Sequence, residues 1–315
     1  MRAALIDELG RPPRPAELPD AEGEGALVEI LAASLNPIDV AVGAGMFFGG
    51  HPELPFVPGC EGVGRIRGGN GGLVYVFSGG LGLSRNGAMA ELARSGSVEP
   101  IPVPEGADPA VAAALGIAGL AGWLPLAWRA PLRRGETVLV LGATGTVGVV
   151  AVQAARLLGA GRVVAAGRDA TRLERARAAG ADATVTLEGD DLAERFKEAC
   201  GGEGPSYVFD PLWGEPLLAA LQAAAPGARV VNLGQSAGPE ATITSAAVRG
   251  KQLELFGHTN FAVPRPDLAE HYHRLVSHAV AGRLTVDVER VSLEDIGEAW
   301  RRQADGAGGK LVVTP

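Results

Sequence analysis

Cys60 and Cys200 are the only cysteines in 315 residues, too few for a disulfide framework or a cysteine-rich zinc lobe. Such sparing use suits a reducing compartment, and the cytoplasm is the expected location. Lysine is nearly as scarce, at Lys197, Lys251 and Lys310 only. No Lys/Arg cluster relieves the net charge of −8, which argues against a nucleic-acid backbone or an anionic membrane surface as partner. The N-terminal stretch MRAALIDELG places Asp7 and Glu8 where a signal peptide needs its apolar core, so no export signal is read. Uncharged stretches at 109–128 and 137–155 approach the length of a bilayer crossing. Both are rich in Ala and Gly, the first is broken by Pro125 and the second by Gly142, Gly145 and Gly148, and neither carries a flanking basic cluster, so no membrane span is expected. What is present is a globular composition, 47% hydrophobic and 20% charged, with 46 glycines and 22 prolines that promise many turns. The length suggests two domains.

From Met1 to about Glu105 the pattern is short-ranged and strand-like, with runs such as 26–32 and 73–77 broken by Gly-Gly and Pro pairs. From Gly135 the rhythm changes to strand, helix, strand, helix. Strands are expected at 137–141, 162–166, 184–187, 207–210, 229–233 and 253–256, with amphipathic helices between the first five, such as 171–179. That alternation predicts an α/β fold with a doubly wound parallel sheet of six strands, the Rossmann arrangement. After Gly257 a helix at 268–281, a strand at 285–291, a helix from Leu293 and a strand at 310–314 are too few to fold alone and are expected to complete the N-terminal domain.

The segment TVLVLGATGTVGVVAVQAARLLGA sets an apolar strand directly before Gly142, Gly145 and Gly148 and an apolar helix directly after. Glycines there let the chain turn, let backbone N–H groups approach a pyrophosphate, and let the helix pack on the strand. The helix N-terminus adds unpaired donors and a positive dipole end. Gly142, Thr144, Gly145, Thr146, Val147 and Gly148 are therefore expected to bind a dinucleotide. At the end of the second strand, where an NAD-binding chain usually carries an acid for the ribose, the sequence runs Ala166-Gly167-Arg168-Asp169, with Arg172 beyond. Arginine pairs with a 2′-phosphate, which favours NADP(H). Asp169 keeps the alternative open, in which Arg168 and Arg172 are solvated helix-start charges.

SLNPIDV (34–40), LPFVPGCEGVG (54–64), NGAMAEL (86–92), VLVLGATGTVG, AAGRDATRLERARAAGADATV, YVFDPLWG, ARVVNLG, RLTVDVERVSLEDIGEAW and the closing GGKLVVTP together resemble the medium-chain dehydrogenase/reductases, within them the zinc-independent quinone oxidoreductase branch. The resemblance implies a β-rich, GroES-like catalytic domain of residues 1–113 and 257–315, a dinucleotide domain of residues 114–256, and a cleft for the reaction. It implies a homodimer joined through the sixth strand of the nucleotide domain. Zinc-bearing members carry Cys at the place of Asn36, His at that of Cys60 and usually Cys within 116–119, so no metal is expected here.

Without a Lewis acid, hydride transfer to the β-carbon of an enone or quinone is the least demanding chemistry, with donors stabilising the developing enolate. Among site residues, Asn36 is typed for such a donor or for holding the nicotinamide ribose, although Asn-Pro also starts turns. Asp39 matches the family pattern, and equally suits a helix cap. Asn36 also joins Asp210, Gly234, Gly257 and His258 in completing the expected cofactor-binding set. Phe47, Cys60 and Trp213 are candidate pocket walls, with Phe48 and Phe56 beside them, and Cys60 is a candidate for alkylation. The family's Arg and Tyr fall at Gly43 and Phe47, so a pocket hydroxyl is missing. The expected activity is an NADPH-dependent reductase of a conjugated carbonyl. Alternatives are a zinc-free ketone or aldehyde reductase of a biosynthetic intermediate, and a regulatory NADP(H)-binding protein without turnover.

Overall fold

The computed structural model describes residues 1–306 and 309–315; Gly308, which opens the GGKLVVTP segment, lies outside the described residues. The chain divides into two compact units, Met1–Ala118 with Arg265–Pro315, and Gly119–Pro264.

In the first unit β1 (Arg2–Leu5) pairs antiparallel with β2 (Arg14–Glu17). A larger sheet contains β3 (Leu27–Ser34), β4 (Glu61–Ile66), β5 (Leu73–Phe77), β6 (Leu92–Arg94) and β7 (Ile101–Pro102). Along β3, Val28, Ile30 and Ala32 are buried while Glu29 and Leu31 are exposed, the period-two pattern of a strand with one wet face. Ala33 and Ser34, which follow, are buried in succession. The chain then turns into α1 (Pro37–Gly43). Before α2 (Pro109–Ala114), Asp108 accepts from the N–H groups of Ala110 and Val111, each at 3.0 Å, and Pro109 fills a position where no N–H is needed.

After α3 (Ile117–Leu124) and a π-helical turn at Pro125–Arg129, the second unit alternates strand and helix. Its elements are β8 (Thr137–Val140), α4 (Thr146–Leu157), β9 (Arg162–Gly167), α5 (Ala170–Ala178), β10 (Ala183–Thr186), α6 (Leu192–Ala199), β11 (Tyr207–Asp210), α7 (Gly214–Ala223), β12 (Arg229–Asn232), α8 (Ser245–Lys251) and β13 (Glu254–Gly257). The six strands are parallel in the order β10-β9-β8-β11-β12-β13. Each lies within about a residue of its expected place. Val138, Leu139, Val140, Val208 and Phe209 are wholly buried, as strands covered on both faces require. Strand order reverses beside β8, and in such sheets ligands bind beyond the carboxyl ends at the reversal.

The remaining elements of the first unit are α9 (Arg265–Val280), β14 (Val288–Ser292), α10 (Ile296–Ala304) and β15 (Lys310–Thr314). β15 lies parallel to β14 and antiparallel to β3, giving the order β14-β15-β3-β4-β5-β7 with β6 also on β3. α9 begins three residues earlier than its apolar spacing suggested, because Pro266 is compatible with a first helical turn. Among the described residues no helix is long and apolar enough to cross a membrane.

Candidate functional site

The carboxyl ends of the six parallel strands gather most of the expected cofactor residues. At the end of β8, Gly142 turns the chain with φ +63°, a conformation that other residues rarely adopt. Gly148 sits so close that a Cβ there would lie 2.3 Å from Gly142 O and 2.5 Å from Ala143 Cα. At Gly145, the N-cap of α4, a Cβ would meet only Gly142 O at 3.9 Å, so this position opens outward. Among the described residues the N–H groups of Thr146, Val147 and Gly148 have no backbone acceptor, leaving the N-terminal donors of a twelve-residue helix free beside Gly145 and Thr144. Turn, open approach and close packing are thus divided among the three glycines. Gly148→Ala should therefore cost about 1–3 kcal/mol of stability through overpacking, whereas Gly145→Ala should leave the urea midpoint in place and weaken nucleotide binding. Equal loss of stability in the two variants would rule out this division.

Behind the loop, Asp210 ends β11 fully buried. Its Oδ1 accepts from the N–H groups of Leu212 and Trp213, both at 2.9 Å, and its Oδ2 accepts from Asn232 Nδ2 at 2.8 Å. Burial pushes its carboxyl pKa up, against the pull of these donors. The carboxylate thereby fixes Trp213, a non-glycine residue at φ +58°, just before α7. Gly234 completes the corner, since a Cβ there would stand 2.6 Å from Pro211 O. Asp210 and Gly234 shape the rim, and Trp213 packs partly buried against the core of this unit.

At the end of β13 the Gly257 carbonyl accepts from Arg129 Nε at 2.8 Å, and the Arg129 guanidinium lies 5.1 Å from the Phe256 ring centre. His258 follows, its backbone N–H bonded to Asn232 O at 2.8 Å and its Nε2 3.0 Å from Asn260 Oδ1. At the end of β9, Arg168 is exposed, while Arg172 is half-buried and 3.4 Å from Asp169, which also caps α5.

Asn36, Asp39 and Cys60 belong to a separate, densely bonded cluster in the first unit. Asn36 Nδ2 donates to Glu61 Oε1 at 2.8 Å and to Ser34 O at 3.2 Å. Lys310 Nζ donates to Asn36 Oδ1 at 2.5 Å and to Leu35 O at 2.9 Å. Glu61 Oε2 accepts from Tyr75 OH at 2.7 Å and Ile117 N at 2.6 Å. Asp39 accepts from the N–H groups of Asn36 and Cys60, each at 2.8 Å, so it does serve the start of α1. Asn36, Asp39, Glu61 and Lys310 are all at most 4% exposed. Burial pushes the carboxyls of Asp39 and Glu61 up and the Lys310 ammonium down, and the opposite charges partly counter each shift. Gly116 makes room, for a Cβ there would fall 1.9 Å from Glu61 Oε2.

Two expectations change. Both amide hydrogens of Asn36 are engaged, so donation to a ligand requires exchanging one of them, the longer bond to Ser34 being the weaker. Cys60 is 1% exposed, and burial with neighbouring Asp39 pushes its thiol well up, so it is a shielded thiol and no target for alkylation. Phe56 is core, Phe47 is half-buried against that core, and Phe48 is 98% exposed. The sequence reading passed over Glu61 as part of a site and Lys310 altogether; one of three lysines, set at the head of the apolar run KLVVT, was the available signal.

A family model described as zinc-binding dehydrogenase matches residues 146–277. The chain is 30% identical over 309 residues, 93% of its length, to a phenolphthiocerol/phthiocerol polyketide synthase component of Mycobacterium tuberculosis, and spans 14% of that relative. It is 26% identical to the quinone oxidoreductase of Pongo abelii, covering 99% of this chain and 97% of the relative. A solved mycobacterial protein complexed with NADPH matches with a TM-score of 0.85 and 26% identity, over 100% of both chains. Despite the family's description, the cluster around Asn36 does not fit a zinc ion. It offers an amide, a protonated thiol and two carboxylates already engaged by N–H and O–H donors, and the Lys310 ammonium would repel a dication. Among the described residues no group of three His, Cys, Asp or Glu is placed to hold a metal.

Proposed function

The chain belongs to the medium-chain dehydrogenase/reductases, in their quinone oxidoreductase branch, and from that premise we propose that it is an NADPH-dependent oxidoreductase acting on a conjugated carbonyl, a quinone or an enone, without a metal. The observation that carries the reading is the open loop at Gly145, backed by the unpaired N–H groups of Thr146, Val147 and Gly148. Those groups would hold the pyrophosphate, with Arg168 and Arg172 on the 2′-phosphate. Asp210, Gly234, Gly257 and His258 would border the nicotinamide half. When bound, NADPH supplies the hydride. In the first unit, Asn36 would donate to a carbonyl oxygen by giving up its bond to Ser34 O, and Asp39 would hold the Asn36 backbone meanwhile. We further propose a homodimer through the free edge of β13.

A second reading, a reductase of one biosynthetic intermediate, is favoured by the identity to a component of a polyketide synthase. One assay separates the readings. NADPH oxidation is followed with a panel of quinones, enones and simple ketones. Oxidation confined to conjugated acceptors supports the first reading, and none with any acceptor supports a binding protein without turnover. In the same format NADPH should outperform NADH, and Arg168→Ala should narrow that preference about tenfold, as expected for loss of a charge-assisted contact. Equal use of both cofactors by the parent protein would reject the role given to Arg168.

A further inference from the structure

His258 carries a hydrogen-bonding atom that the protein leaves without a partner. Its Nε2 faces Asn260 Oδ1 at 3.0 Å, and Asn260 is itself 6% exposed. An amide oxygen only accepts, so the ring proton sits on Nε2 and the lone pair on Nδ1. Nδ1 is shielded from solvent and has no hydrogen-bond partner among the described residues. Burial lowers the pKa of the ring, and nearby Arg129 acts in the same direction, which keeps the neutral form in place at neutral pH. Among the described residues the charged group that bears on the ring is Arg129, which also binds the Gly257 carbonyl, and no carboxylate does so.

The ring is also fixed in place. Its backbone N–H is tied to Asn232 O, whose own side chain binds Asp210 at the neighbouring strand end. The Trp128 ring stands edge-on to it, with centroids 6.3 Å apart, on the π-helical turn Pro125–Arg129. Such turns are frequent at functional sites. A buried acceptor with no donor costs free energy that any donor reaching it recovers. The unpartnered lone pair lies directly after the carboxyl end of β13.

We propose that His258, held as the Nε2–H tautomer by Asn260, uses Nδ1 to accept a hydrogen bond from the carboxamide N–H of the nicotinamide. The inference rests on the reading of the protein as an NADP(H)-binding enzyme and adds a side-chain contact that sets how the ring is presented. His258 and Asn260 thereby select for the amide hydrogen in particular, since a ligand with only an acceptor at that place would face a lone pair.

The test compares three ligands by titration to the parent protein and to His258→Phe and Asn260→Ala. NADP+ carries the carboxamide, its 3-acetylpyridine analogue keeps the carbonyl and lacks the N–H, and adenosine 2′,5′-bisphosphate lacks the nicotinamide altogether. The parent is expected to bind NADP+ about fivefold to tenfold more tightly than the acetylpyridine analogue. In His258→Phe that difference should vanish while the bisphosphate binds as before. In Asn260→Ala the freed ring should lose most of the difference as well. Retention of the full difference in His258→Phe overturns the proposal. So does equal binding of NADP+ and the analogue by the parent. Failure of the parent to bind adenosine 2′,5′-bisphosphate or NADP+ would instead reject the cofactor assignment on which the inference stands. Weakened bisphosphate binding in His258→Phe would mark a general disturbance of the unit, and His258→Asn, which restores a small polar side chain, must then recover bisphosphate binding without recovering selectivity, or the proposal falls.

Discussion

Lys310→Met should lower the unfolding free energy by about 3–5 kcal/mol, the loss typical of removing one partner from a buried ionic group. Lys310 is 4% exposed, and its ammonium is the cation that faces the wholly buried Glu61 and the buried Asp39. Methionine fills a similar volume, so packing changes little. What changes is that two carboxylates remain in the interior with no opposing charge, while Leu35 O and Asn36 Oδ1 lose their donor. Replacing Glu61 by Gln in the same background should recover part of the loss, because one of the stranded charges is then gone. The pH dependence separates charge from packing. Burial already raises the folded-state pKa of both carboxyls, and removing the lysine raises them further. An acid whose folded pKa lies above its unfolded value binds its proton more tightly when folded. Its contribution is therefore most favourable below the unfolded pKa and declines as pH rises through the folded one. The deficit of Lys310→Met should accordingly shrink as the pH is lowered from neutrality. Urea unfolding across that range measures it, and a deficit that is constant with pH would show that the lysine acts through its stem rather than its charge.

How the site was legible from sequence depends on the range over which each signal acts. The glycine loop could be read because strand, turn and helix are contiguous, and Gly142, Gly145 and Gly148 differ in structure as the spacing suggested. The six strands of the parallel sheet were equally legible, since short, fully buried runs such as Tyr207–Asp210 differ in period from the amphipathic helices, such as Ala170–Ala178. The cluster around Asn36 was not. Its members lie at positions 36, 61, 75 and 310 and meet only because β3, β4, β5 and β15 share one sheet. Local pattern identifies Asn36 as a turn residue and Asp39 as a cap, and both descriptions hold. Periodicity along KLVVT carries no sign that its first residue reaches back to Leu35 and Asn36. The reactivity expected of Cys60 failed for the same reason, because burial beside Asp39 is a product of tertiary structure.

The homodimer proposed above would have a second large effect. Among the described residues β13 pairs with β12 alone and ends the sheet. The N–H groups of Glu254 and His258 bond to Ala228 O and Asn232 O. Alternation along a parallel strand then turns the N–H groups of Leu255 and Gly257 outward. Arg129 already occupies the outward carbonyl of Gly257 and covers Phe256, which leaves Leu255, 42% exposed, as the open part of the edge. An unpaired edge is a template for another strand, and a twofold axis there would use Leu255 of both protomers. Leu255→Pro removes the outward donor in each copy and leaves its inward-facing neighbours bonded to β12. Two lost hydrogen bonds, each leaving a buried acceptor unpaired, should weaken the dimer about a hundredfold or more. Leu255→Ala, which keeps the N–H, should weaken it far less. Sedimentation or light scattering over a dilution series measures both. A parent protein that is monomeric at micromolar concentration, or a Leu255→Pro dimer as tight as the parent, would reject assembly through β13.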